Sequence, residues 1–121
     1  MWSGGRDPPL AGGRRLGVDV GYLLENARQV SWFFRVLSDP SRLTILLYLL
    51  KVERACVNEL SEATGYSPSL VSYHLSNIKL CGLVESVREG RRTYYRVVDR
   101  EGLARLLEAA GSLASSMCRL E

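Results

Sequence analysis

The sequence is short of almost everything that catalysis or metal binding draws on. Its 121 residues contain one histidine, His74, and three cysteines, Cys56, Cys81 and Cys118. A lone histidine and isolated thiols, with no Gly-rich phosphate loop, leave no catalytic set, so neither enzyme activity nor a cofactor is expected. The cysteines are too few and too scattered for a disulfide scaffold. Long apolar runs are missing as well. The longest, Ile45 to Leu50, is far below the ~20 residues of a membrane span and fits a buried helix. The N-terminus lacks the basic-then-apolar order of a signal peptide, and a cytoplasmic location is expected. Charge imbalance is slight: 16 Lys and Arg against 13 Asp and Glu, a formal net charge of +3, permits a nucleic-acid partner without requiring one.

What is present reads as one mainly α domain, residues 18–121, behind a basic arm of residues 1–17. The arm is rich in Gly and Pro, carries Arg6, Arg14 and Arg15, and shows no periodicity, which predicts a flexible segment. From Val18 to Ser38, Val20, Leu23, Leu24, Ala27, Val30, Phe34 and Leu37 follow the spacing of one helix face. Trp32 and Phe33 lie off that stripe and suggest a second covered surface, such as a subunit contact. Asp39-Pro40 ends this helix and begins another, Ser41 to Lys51, apolar nearly all round and therefore central to the core. A short helix over Val57 to Thr64 follows, with Val57, Leu60 and Ala63 inward and Gly65 closing it.

The stretch Ser67 to Gly82 has a polar side lined with Ser, Tyr and Asn, where an exposed helix surface is usually studded with Glu and Lys. Ser67 is the expected N-cap, Pro68 suits the first turn, and Gly82 marks the stop. Leu70, Val71, His74, Leu75 and Ile78 fall on one face. Ser69, Ser72, Tyr73, Ser76 and Asn77 fall on the other, and such short hydrogen-bonding side chains suit base edges and phosphate oxygens. Two helices joined by so brief a turn match a helix-turn-helix. The period then changes to alternation: Leu83 to Arg88 and Arg92 to Val98 form a hairpin around Glu89-Gly90-Arg91. Arg88, Arg91 and Arg92 crowd its tip, an arrangement that makes sense beside phosphates or a narrow minor groove. Asp99 caps a last helix, Arg100 to about Leu120. Its stripe of Leu103, Leu106, Leu107, Ala110, Leu113, Ala114, Met117 and Leu120 is longer than the rest of the chain can cover. Pairing with a symmetry mate is expected.

The order helix, helix, helix, recognition helix, two-stranded wing, helix is a winged helix-turn-helix. The segments LSDPSRLTILLYLL and CVNELSEATGYSPSLVSYHLSNIKLCGLVESVREGRRTYYRV resemble the ArsR/SmtB-type family of dimeric bacterial and archaeal transcriptional repressors, a similarity that spans about Phe34 to Val98. The resemblance implies a homodimer, joined through its terminal helices, that binds an inverted repeat in double-stranded DNA and leaves when an inducer binds. It places the DNA-contacting positions on Ser67, Ser69, Ser72, Tyr73, His74, Ser76 and Asn77 of the recognition helix, and on Arg88, Arg91, Arg92 and Tyr94 of the wing. Relatives often carry Arg at position 73. Tyr73 can stack or accept and donate one bond, but cannot fork two bonds to a guanine. His74 has two open readings, a core histidine or a phosphate contact. As a metal ligand it would lack companions.

The family's arsenic-type metal sensors carry Cys-Val-Cys where this chain has Cys56-Val57-Asn58. Its zinc and nickel sensors carry His and Asp on the last helix, where this chain has no histidine. Cys56 alone cannot hold a soft metal and no metal ligands are assigned, while a thiolate site that also used Cys118 stays open as one inducer reading. Cys56 and Cys118 are placed like the cysteine pair through which some relatives sense sulfane sulfur or oxidation. A free Cys also serves as a small hydrophobe, the reading that suits Cys81. The alternative function is a winged-helix module that binds protein through Trp32, Phe33 and the terminal helix, without specific DNA binding.

Overall fold

The computed structural model describes residues 17–117, and they form six helices and a two-stranded sheet. The chain divides into two units at Ser38/Asp39. The basic arm, apart from Gly17, and Cys118 lie outside the described residues.

The first unit holds α1 (Val20–Glu25) and α2 (Ala27–Leu37). The single helix expected over Val18 to Ser38 is therefore interrupted. Asn26 leaves helical backbone geometry at φ −112° and ψ 21°, and its side-chain amide donates to the Tyr22 carbonyl. A short amide that bonds the preceding turn competes with the helix ladder, which is why the apolar period alone does not reveal the break. Asp19 caps α1 by accepting from the Tyr22 N–H. Val36 and Leu37 are buried, whereas Val20, Leu23, Leu24, Trp32 and Phe34 remain exposed in the single chain. Phe33 meets Phe34 edge to face at 6.1 Å.

The second unit is built around α3 (Pro40–Lys51), α4 (Val57–Thr64) and α5 (Pro68–Leu80). Asp39 accepts from the backbone N–H groups of Ser41 and Arg42, and Pro40 fills the first turn, as the sequence predicts. Ile45, Leu46 and Leu49 of α3 are fully buried, but Leu47 is exposed, so α3 is central without being enclosed on every side. At its C-terminus the orphan carbonyls of Leu49, Leu50 and Val52 all accept from the Arg100 guanidinium, at 3.0, 2.7 and 2.6 Å. This ties the start of the last helix to the end of the central one.

In α4, Leu60 is buried as expected, while Ala63 is exposed. The turn into α5 is closed by Gly65 at φ +83°, a conformation that a Cβ would strain. Ser61 donates to the Tyr66 carbonyl and Thr64 Oγ1 accepts from the Tyr66 N–H, which pins the turn from both sides. Val71, Leu75 and Ile78 of α5 are fully buried against this core.

Strands β1 (Val84–Glu89) and β2 (Arg92–Val97) pair antiparallel, Val84 opposite Val97 and Glu89 opposite Arg92. Gly90, at φ +63°, allows the tight connection. A third backbone joins this hairpin, because Ala55 exchanges both hydrogen bonds with Tyr95. Helix α6 (Arg100–Met117) is capped by Asp99, which accepts from the Gly102 N–H. Leu103 is its buried residue, Leu106 and Leu107 are half-buried, and Leu113 and Met117 stand exposed. No helix among the described residues is long and apolar enough to cross a membrane.

Candidate nucleic-acid interface

Helix α5 begins as a capped helix should: Ser67 Oγ accepts from the Leu70 N–H, and Pro68 follows. Because its inner face is consumed by Val71, Leu75 and Ile78, the outer face is fixed by the 3.6-residue period. Ser67, Ser69, Ser72, Tyr73 and Ser76 are exposed, and Tyr73 is 61% accessible. These side chains are neutral and short, so the surface offers hydrogen bonds without long, mobile charges. Asn77 is half-buried on the flank. Leu70, expected on the inner face, is instead partly exposed near the helix start.

His74 does not share the outer face. Its side chain is 3% exposed and is hydrogen-bonded at both ring nitrogens, to Ser41 and to Arg42. Of its two readings, the geometry selects the core histidine; a ring so enclosed is not presented to a phosphate. Its neutral form is favoured by burial, opposed by the nearby Asp39 carboxylate.

The wing presents Arg88, Arg91 and Arg92 at or beside the turn, all exposed. Tyr94 is half-buried, and the Arg54 guanidinium stacks over its ring at 4.2 Å, so one face of the ring is already occupied. Arg54 also grips Glu89 with two bonds of 2.7 and 2.8 Å, which holds the Glu89 carboxyl below the usual range. That pairing neutralises the acidic group among the tip arginines and leaves the tip positive. Lys79 Nζ bonds Ser86 Oγ at 2.7 Å, joining α5 directly to β1. Neither Arg54 nor Lys79 is legible from the sequence as part of the site. Arg54 and Glu89 lie 35 positions apart, and an acidic residue amid arginines is the one available hint.

Cys56 precedes α4 and is 5% exposed; its backbone N–H donates to Glu59 Oε1. A cleft of about 290 Å³ lies beside it, between Val57-Asn58 and Arg91, Arg92, Thr93 and Tyr95. Its possible companion Cys118 falls outside the described residues. Cys81 is half-buried at the end of α5, where burial raises its thiol and its sulfur donates to the Asn77 carbonyl. Among the described residues no three His, Cys, Asp or Glu side chains converge as metal ligands do.

A polar recognition surface flanked by a basic wing is the geometry of a helix-turn-helix reader of duplex DNA. The family model for bacterial regulatory proteins of the arsR family matches residues 39–86, the span from the α3 cap into β1. The chain is 41% identical over 91 residues to a probable mercury resistance operon repressor of Streptomyces lividans, covering 71% of this chain and 72% of that one. The chain belongs to the ArsR family. It is 37% identical over 93 residues to a SmtB homolog, a transcriptional repressor of Synechocystis, across 77% of this chain and 70% of that one. In structure it is similar to the homodimeric winged helix-turn-helix DNA-binding domain of a possible ArsR-family regulator from Mycobacterium bovis. That match has a TM-score of 0.67 and 30% identity, and covers 91% of this chain and 94% of the other. This ArsR-family chain is thus a winged helix-turn-helix transcriptional regulator.

Proposed function

We propose that this chain acts as a homodimeric repressor that places one α5 from each protomer in successive major grooves of an inverted-repeat operator, ~34 Å apart. The observation that carries this reading is the exposed row Ser69, Ser72, Tyr73 and Ser76 on a helix whose opposite face is locked into the core. Those four side chains read base edges, and Ser67 meets the backbone at the helix start. Arg88, Arg91 and Arg92 meet phosphate, supplying affinity that falls steeply with salt. Leu113 and Met117, exposed on α6, support burial of that stripe against the second protomer.

A mobility-shift titration at low salt, with a duplex spanning the promoter of the protein's own gene, tests the proposal. A discrete retarded species that dissolves as salt rises is expected. Binding no tighter than that of any mildly basic protein would sink it and favour the protein-interaction module. For the inducer, a Cys56–Cys118 thiol pair is the reading to test. A Cys56→Ser/Cys118→Ser variant that still leaves DNA in response to oxidant would end that idea.

A further inference from the structure

The inner face of α5 carries the chain's one histidine, and that ring has a defined partner at each nitrogen. Nε2 lies 2.7 Å from Ser41 Oγ, and Ser41 Oγ lies 2.7 Å from Asp39 Oδ1. An ionised carboxylate only accepts, so the Ser41 hydroxyl proton is directed to Asp39 and its oxygen is left to accept from Nε2–H. On the other side, the Arg42 Nε–H donates to Nδ1 at 3.4 Å. Arginine always carries its proton, so Nδ1 must be bare. The network admits one form of the ring, neutral with the hydrogen on Nε2.

Both anchors belong to the start of α3. Asp39 is its N-cap and also accepts from the Ser41 and Arg42 N–H groups, which, with the Ser41 hydroxyl first, lower its carboxyl pKa. The bonds therefore run from the α3 cap to the middle of α5. Among the described residues, the charged groups bearing on the ring are Asp39, 3.9 Å from Nε2, and Arg42, while the Tyr73 ring lies 5.4 Å away on the same helix.

We propose that His74 is a positioning residue whose neutral ring, through Ser41, Asp39 and Arg42, sets the rotation of α5 on α3, and that protonating it releases this setting and weakens DNA binding. The proposal rests on the DNA-reading role of α5. A proton on Nδ1 would face the Arg42 N–H donor to donor and place two cations side by side. Tyr73 precedes His74 directly, so a turn of α5 that relieves this contact swings the reading face with it.

The sign distinguishes this role from a phosphate contact. Burial favours the neutral ring, so the folded protein binds fewer protons than the unfolded chain just below the ordinary value of 6.5. The lock is complete above that value and is lost as pH falls through the folded one. A histidine on phosphate would instead tighten binding at low pH, as gained positive charge does generally.

The test pairs fluorescence anisotropy of a labelled duplex, again the promoter region of the protein's own gene, with NMR of the one histidine ring. Both run from about pH 8 to about pH 5 at fixed ionic strength, bracketing the ordinary histidine range. We expect the Nε2–H tautomer, titration below 6.5, and an affinity that drops about tenfold as the ring charges. His74→Asn, and separately Ser41→Ala, should weaken binding at about pH 8 by a similar factor, and His74→Asn should flatten the pH profile. Affinity that is unchanged or tighter as the ring charges overturns the proposal, as does an Nδ1–H tautomer. Absence of binding even at about pH 8 would count against the DNA-reading role itself. The lock is then judged by NMR alone: α5 amide shifts that follow the ring titration support it, and shifts that do not follow reject it.

Discussion

The recognition helix and the wing are both seated on the core by buried apolar residues, and they differ in what is added to that seating. Helix α5 is fixed from beneath by Val71, Leu75 and Ile78, none of which has solvent access, and by a histidine whose partners are chosen by geometry. The wing is seated by Val84 and Val97, both buried, and by the Ala55–Tyr95 backbone bridge. At its surface it adds the Arg54–Glu89 fork, the cross-strand Arg96–Glu85 pair at 3.2 Å and the Lys79–Ser86 bond. Buried apolar contacts and a low-dielectric hydrogen-bond network resist salt, whereas exposed ion pairs are screened by it. The seating of α5 should therefore respond little to salt. The exposed pairs that the wing adds should weaken as salt rises.

Truncating a deeply buried side chain should break the first half of this contrast most severely. Leu75→Ala, at a fully buried site in α5, is expected to cost about 3–5 kcal/mol, read as a fall in the urea midpoint. An unchanged midpoint would mean α5 is not anchored as described. Next in size is Tyr73→Ala on the outer face, which should leave stability alone. It should shift base preference by about 1 kcal/mol per half-site, seen as altered ranking of operator variants. A uniform loss across all sequences would move Tyr73 from reading to gripping.

Arg91→Ala should do what Tyr73→Ala does not. It is expected to weaken specific and random duplexes alike and to lower the salt slope by about 1 for each phosphate that the guanidinium no longer neutralises. Retained slope would remove Arg91 from the phosphate set. The smallest effect is assigned to the clamp. Arg54→Met should lower affinity a few-fold at low salt, through a wing tip whose Glu89 is no longer neutralised. That difference should shrink as salt screens the pair, and a defect that persists at high salt would point to packing on Tyr94 instead.

Much of this architecture is written locally. Asp39-Pro40 and Ser67-Pro68 announce their helices because a capping oxygen beside a residue with no N–H to lose suits a helix start. The outer face of α5 is legible for a related reason, since its period and its row of Ser, Tyr and Asn are visible in one short segment. Asn26 escapes such a reading because its competing bond to the Tyr22 carbonyl is a property of a single side chain, invisible to an average over apolar positions. His74 is legible as a position and not as a role. Period puts it on the apolar face, but Ser41 and Arg42 are 33 and 32 residues away.

The sequence by itself determined where α3, α4 and α5 start, which face of α5 is polar, and that arginines gather at a tight turn. Each of these follows from interactions within a few residues along the chain. Tertiary structure alone decided that His74 is buried between Ser41 and Arg42, that Ala55 extends the wing, and that Arg54 pairs with Glu89. Those outcomes depend on groups far apart in sequence arriving within about 3 Å of each other, a distance that hydrogen bonding demands and local propensity cannot specify.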